Sequence, residues 1–229
     1  MRLLISLSLL ASAMTAQQLP KVDRAPHPGT YNYLAKLAVG GQLTSLRIST
    51  AVTESDDAWL STETVAAPTG DSVDSTTLDG KTLELRKRSV KAGPAAIQVE
   101  FQQNKAVGSK SFDGHSLPFS VTVSGAVFAG NGSGAVWITC LPLAEGYSAS
   151  FTDFDIQKQK LKTMQLTVTG SEKVTVPAGT FDSLRVDVSS AEGGPEKTTL
   201  WVARESRKVV RFAKLLPELK GATLVAELQ

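Results

Sequence analysis

From Tyr31 onward, apolar and polar residues alternate one for one in short runs, and the runs are punctuated by Gly, Pro, Asn and Asp at fairly even spacing. A β-strand projects successive side chains to opposite faces, so such runs specify strands with one buried and one wet face. Leu46, Ile48 and Val52 fall on one side of such a run, with Arg47, Ser49 and Ala51 on the other. Leu83 and Leu85 oppose Glu84 and Arg86, and Ile97, Val99 and Phe101 oppose Gln98, Glu100 and Gln102. Met164, Leu166 and Val168 alternate with polar neighbours, as do Leu184, Val186 and Val188. No sustained helical period competes. The expected fold is all-β: one strongly curved antiparallel meander, an open sheet or half-barrel, in a single domain over residues 30–229.

The turns support antiparallel pairing. Gly40-Gly41 and Asp79-Gly80 suit two-residue type I′ hairpins, whose central residues both need positive φ. Asp56-Asp57 reads as a further turn. In Val176-Pro177-Ala178-Gly179-Thr180, proline presets the first turn residue and glycine supplies the positive φ that follows, predicting a tight hairpin between 173–176 and 180–189. Asn131-Gly132-Ser133-Gly134 is a flexible break, and its match to a glycosylation sequon means little in a bacterial host. The apolar run Val136 to Leu141 fits a buried strand or a short helix, and its length does not decide. A short helix over 135–141 is the one helical candidate.

The chain starts with Arg2, the apolar run Leu3 to Leu10 and then small residues, the pattern of a secretory signal peptide. Ala11-Ser12-Ala13 has the small-x-small form of a cleavage site, while a cut after Ala16 leaves Gln17 as the new terminus but puts the bulky Met14 three residues upstream; residues 1–16 are taken as the leader. An anchoring helix would need about twenty apolar residues, and serines interrupt a much shorter run here. No other stretch is long and apolar enough to span a bilayer, so no transmembrane segment is expected in the mature chain. Residues 17–29 hold Pro20, Pro26 and Pro28, which remove backbone donors and favour an extended arm. The expected location is periplasmic or secreted. A single cysteine, Cys140, permits no internal disulfide, so a core must hold the fold.

The chemistry-bearing motifs are mostly absent. A formal charge of +2 gives no field to attract nucleic acid. His27, His115 and Cys140 are scattered, which excludes a structural zinc cluster. Residues 130–134 miss the spacing of a nucleophile elbow, a phosphate loop and a dinucleotide fingerprint, so no cofactor is expected. Cys140 reads as a small buried hydrophobe. Asp153 and Asp155 would share one side of a strand, as paired acid and base groups do, but Phe154 and Ile156 on the other side make a wet face opposite a buried one the simpler reading. In the basic stretch Arg86 to Lys91, alternate members point opposite ways, which reads as a solvated sheet edge rather than a polyanion site. Trp59, Trp137, Trp201, Phe101, Phe181 and Phe212 supply core, or the wall of a pocket if the concave side is hollow.

The C-terminal third adds a resemblance. Val174-Thr175-Val176-Pro177-Ala178-Gly179-Thr180-Phe181-Asp182, then Thr199-Leu200-Trp201-Val202-Ala203 and Lys208-Val209-Val210-Arg211, with Leu141-Pro142-Leu143-Ala144-Glu145-Gly146-Tyr147 upstream, resemble the exported bacterial family known as domain of unknown function 3108. Leu78-Asp79-Gly80-Lys81-Thr82-Leu83 with Arg88 extends the likeness toward the N-terminus. The resemblance implies an open, strongly curved antiparallel sheet, similar in outline to the periplasmic lipoprotein carriers LolA and LolB, and transfers no catalytic residues. Arg207 stands where relatives often have glycine, so its turn is expected to differ. The function expected is non-enzymatic binding of an apolar ligand or an envelope partner on the concave face, with Trp59, Leu85, Phe101, Leu166 and Val186 as lining residues. The alternatives are a structural or interaction module of the cell envelope without a small ligand, and a hydrolase built on Asp153 and Asp155.

Overall fold

The structure is a computed structural model that describes residues 20–68, 70–130 and 132–229. The leader assigned to residues 1–16 lies outside them. The strands are β1 (Gly29–Val39), β2 (Gln42–Ser55), β3 (Ala58–Ala66), β4 (Ser72–Asp79), β5 (Leu85–Ala92), β6 (Ala95–Gln102), β7 (Lys105–Phe112), β8 (His115–Thr122), β9 (Val127–Phe128), β10 (Ser148–Asp155), β11 (Lys160–Val176), β12 (Gly179–Ser190), β13 (Lys197–Ala203), β14 (Val209–Leu216) and β15 (Ala222–Leu228). All belong to one sheet in the order β8-β7-β6-β5-β4-β3-β2-β1-β15-β14-β13-β12-β11-β10-β9. The neighbours pair antiparallel except β9, which lies parallel to β10. An all-β curved meander is therefore what the alternation builds.

The topology forces the curvature. β1 and β15 meet in the middle, so the two sheet edges, β8 and β9, are consecutive in sequence. Laid flat, fifteen strands would span about 67 Å at the usual strand spacing. The link from Thr122 to Val127 reaches at most about 18 Å. The sheet must roll until its ends approach, and aromatic contacts record the approach: Phe101 of β6 lies edge-on to Phe154 of β10 at 5.5 Å, and Phe119 of β8 stacks on the same ring at 6.4 Å. The roll stays open, because β8 and β9 do not pair.

Most of its interior is occupied by the chain itself. A 3₁₀ helix, Gly132–Cys140, fills it and packs against β3 and β4. Trp137, Ile138, Cys140 and Leu141 on and after this plug are essentially inaccessible. Trp137 donates its Nε1–H to the carbonyl of Ala129 at 2.8 Å and packs on Phe128 and Phe151 at 4.7 and 4.9 Å. The helical candidate of the sequence is thus a helix, of the tighter 3₁₀ kind. The arm crosses the outside of the plug: Pro26 is buried, and Asp23 donates its backbone N–H to the Cys140 carbonyl at 3.0 Å.

Several hairpins follow the sequence. Gly40 and Gly41 both have positive φ, 54° and 83°, between the paired ends Val39 and Gln42. Asp56 turns with φ 45° between Ser55 and Ala58, and Val176 pairs with Gly179 across Pro177-Ala178. Asp79-Gly80 departs from expectation. No two-residue hairpin forms there; the turn runs on to Leu83, which takes the left-handed conformation at φ 57°. The Asp79 carboxylate accepts the backbone N–H groups of Lys81 and Thr82, so the side chain builds a wider turn. Gly80 is required for a different reason: it donates to the Asp57 carbonyl at 2.7 Å, and a Cβ would sit 2.5 Å from that oxygen.

This turn has a pH signature. The backbone N–H of Thr82, then that of Lys81, together with Arg86 at 2.7 Å, hold the Asp79 carboxyl well below its ordinary value of 3.8 despite partial burial. A depressed carboxylate stabilises the fold fully above its unfolded pKa and loses that contribution as pH falls below it. Thermal midpoints measured from pH 5 to about pH 2 are expected to fall more steeply for the parent than for Asp79→Asn, the two curves converging in acid.

Candidate functional site

Two adjoining cavities lie inside the roll, and the sheet, the plug and the arm all wall them. The first, of about 90 Å³, has an apolar floor of Tyr33, Val52, Leu200 and Phe212 and a roof of Ala135 and Val136. Strand alternation places the floor: Tyr33, Val52 and Phe212 are inward-facing positions of β1, β2 and β14. Tyr33 is anchored by its hydroxyl, which donates to the Val209 carbonyl at 2.9 Å, and by an edge-on contact with Phe212 at 5.4 Å. The exposed His27 also lines this cavity, which therefore reaches the surface under the arm. The second cavity, of about 330 Å³, is charged; it shares Gly132, Thr198 and Lys214 with the first.

Charges in the second cavity are already matched. Arg88 grips Asp74 through two bonds of 3.1 and 2.8 Å, Lys162 sits 2.7 Å from Glu196, and Lys158 lies 3.6 Å from Asp155. Lys214 rests its ammonium over the Phe212 ring at 5.2 Å. The cations of the first cavity differ. Among the described residues, neither Arg207 nor Lys208 has a carboxylate within ion-pair distance, and Nε and Nη1 of Arg207 are buried without a hydrogen-bond partner. Asp23, the nearby acid, is engaged by Arg24 at 3.0 Å, and Glu145 is engaged by Arg204 at 2.6 Å. Burial, reinforced by the positive charge of Arg24, holds the Arg207 guanidinium below its ordinary pKa.

Arg207 is also strained. It adopts φ 56° in the turn between β13 and β14, pinned by its own N–H to the Ala203 carbonyl and by the Ala203 N–H to Lys208, both at 2.9 Å. The left-handed conformation costs a non-glycine residue about 1 kcal/mol. The turn was expected to differ because arginine replaces glycine; instead the glycine-like conformation persists and arginine bears the strain.

The five lining residues read from the sequence are all placed inward, in core rather than at a cavity. Trp59, Leu85, Leu166 and Val186 are buried, and Phe101 is half-buried against Phe154. None of them lines either cavity, since the plug and the opposing strands already cover them. Of the first cavity's lining, Phe212 is among the aromatics read as core or pocket wall and Val52 lies in an inward row, while Tyr33 carries the same alternation signal as any core position. Only the position of Arg207, a charged residue in a turn needing positive φ, set it apart in the sequence.

The paired acids are brought together, with Lys162 Nζ 3.5 Å from Asp153 and 4.0 Å from Asp155. The wet face expected for them does not exist. Asp153 is 1% exposed, with Gly130 lying against its side chain while Phe101 and Phe119 cover Phe154 on the other side of β10. Burial holds its carboxyl above the ordinary value, and one oxygen accepts the Gly130 N–H at 2.9 Å. Asp155 accepts the N–H groups of Gln157 and Lys158, which closes the turn into β11. Both acids thus have structural partners.

The basic stretch is corrected as well. β5 lies between β4 and β6, so it is no edge. Arg86 pairs with Asp57 and Asp79, Lys87 with Glu100, and Arg88 turns inward to Asp74. Cys140 is the inert hydrophobe expected, its thiol pushed up to about 11 by burial. Trp201 departs from a core role: it is half-buried, donates to Glu172 at 2.6 Å and lies under Arg211 at 5.7 Å. No group of three or more His, Cys, Asp and Glu among the described residues could hold a metal ion, and no described helix is long and apolar enough to cross a membrane.

The fold and its interior define a rolled single-sheet protein, plugged by its own chain, with a small apolar cavity beside unpaired cations. A family model described as "Protein of unknown function (DUF3108)" matches residues 30–228, and the chain belongs to that family. No curated protein matches the chain. Among solved structures, a DUF1329 family protein from Desulfovibrio piger ATCC 29098 aligns with 90% of this chain and 85% of its own at 10% identity, with a TM-score of 0.30. At that score the likeness carries no argument. Nothing in these comparisons bears out the outline similarity to LolA and LolB.

Proposed function

We propose that the protein is an exported, non-enzymatic binding module whose ligand inserts one small apolar group into the cavity between β1–β2 and β13–β14. One observation carries this reading: an apolar space remains between sheet and plug and opens beneath the arm at His27. The adjoining cavity of about 330 Å³ is lined by ion pairs that are already matched, so the apolar space is the first cavity. Size narrows the ligand. Pockets for drug-sized molecules run to about 300–1,000 Å³, so about 90 Å³ suits a ring or a short alkyl chain rather than a diacyl lipid.

Native mass spectrometry of protein purified from its own compartment tests the reading. The expected spectrum shows a mature chain lacking its leader and carrying one small amphiphile that is lost on unfolding. Protein that is consistently free of adduct, and that takes up no short-chain amphiphile when challenged, contradicts it.

A further inference from the structure

We propose that the head group of this ligand is an anion, of the carboxylate class, held beside Arg207 and Lys208 while its apolar part lies over Tyr33, Val52, Leu200 and Phe212. The inference rests on the binding reading above and adds the chemical class.

The argument is one of charge matching. Of the charged groups lining the first cavity, Arg207, Lys208 and Lys214 are cationic, and Glu63 is the sole carboxylate. Lys214 has the Phe212 ring, and the cations of the adjoining cavity have their own carboxylates. Among the described residues Arg207 is left with two buried, unsatisfied donors, and the neighbouring Ser206 hydroxyl is buried and unsatisfied too. Arg207 is half-buried as a residue, but buried donor atoms left without an acceptor are costly and favour a ligand that supplies one. The local carboxylates do not serve: Asp23 belongs to Arg24, Glu145 to Arg204, and among the described residues Glu63, on β3 across the cavity, makes no ion pair with Arg207 or Lys208. An anionic head at this end of the cavity supplies the missing charge, and guanidinium is the side chain best suited to hold it.

Backbone strain points the same way. Arg207 occupies a left-handed position, at φ 56°, that glycine would take without strain. Strain retained at a charged, cavity-lining residue fits a ligand-holding role. It also provides a well-behaved variant, since Arg207→Gly removes the charge while suiting the turn.

Three probes of matched length, pentanoate, 1-pentanol and pentylamine, are titrated at neutral pH into the full mature chain and into Arg207→Gly and Arg207→Lys, with affinity read by calorimetry or by NMR shifts. The parent is expected to bind pentanoate about tenfold or more tighter than pentanol, and pentylamine more weakly than either. Arg207→Gly is expected to bring pentanoate to the pentanol level with pentanol binding unchanged, and Arg207→Lys to keep part of the preference. Pentanol binding as tightly as pentanoate, or a preference that survives Arg207→Gly, overturns the inference and leaves the binding reading standing. Failure of all three probes to bind the parent overturns both.

Discussion

Replacing Trp137 by alanine is expected to cost about 3–5 kcal/mol of unfolding free energy, measured by urea denaturation. The indole is fully inaccessible, packs against Phe128 and Phe151, and satisfies the Ala129 carbonyl. It is the largest side chain of a plug that two distant parts of the sheet close around. Truncation therefore removes area in the middle of the roll, where the rigid strands cannot collapse into the gap. Trp137→Phe should cost less, retaining most of the ring area while leaving the Ala129 carbonyl without its donor. A loss below about 1 kcal/mol for the alanine variant would show that the plug contributes little and that the sheet stands without it.

Arg88→Ala is expected to be comparably damaging, about 3–5 kcal/mol, because it breaks a buried pair and leaves a carboxylate behind. Arg88 is 5% exposed and engages both oxygens of Asp74. Its surroundings explain the sensitivity. Gly132, the first residue of the plug, approaches so closely that a Cβ there would collide with the Asp74 carboxylate and lie 2.8 Å from the guanidinium. The ion pair is thus also the seat of the plug. Replacing both partners by apolar residues, as in Arg88→Met with Asp74→Leu, should recover most of the loss, since no charge is then stranded. Chemical denaturation of the single and double variants separates these outcomes; a double variant as unstable as the single would mean that the pair acts by more than charge balance.

The proposed anion-binding role rests on the contrast between Arg88 and Arg207. Both are cationic and both reach the cavities, yet Arg88 meets a carboxylate from the adjacent strand β4 while Arg207 meets none among the described residues. In the sequence Arg88 lies within a basic run and Arg207 stands at a turn position suited to glycine, and neither placement says whether the cation has a partner. Which cation is satisfied depends on what lies across the interior, and a linear pattern does not carry that information.

The strands were legible in the chain, because alternation is a local property: inward rows such as Leu46, Ile48 and Val52, or Met164, Leu166 and Val168, are buried as their spacing requires. So were the hairpins at Gly40-Gly41 and Pro177-Ala178, where one or two residues fix the backbone, and the burial of Cys140. What each inward row would face was settled by long-range packing. Rolling the sheet brought β6 and β8 onto β10, buried both faces around Asp153, and set the plug against β3 and β4. The cavity was decided at the same level, since its walls come from β1, β2, β13, β14, the plug and the arm. Alternation says that a side chain points inward; whether it then meets another side chain or an empty space depends on contacts between segments far apart in the chain.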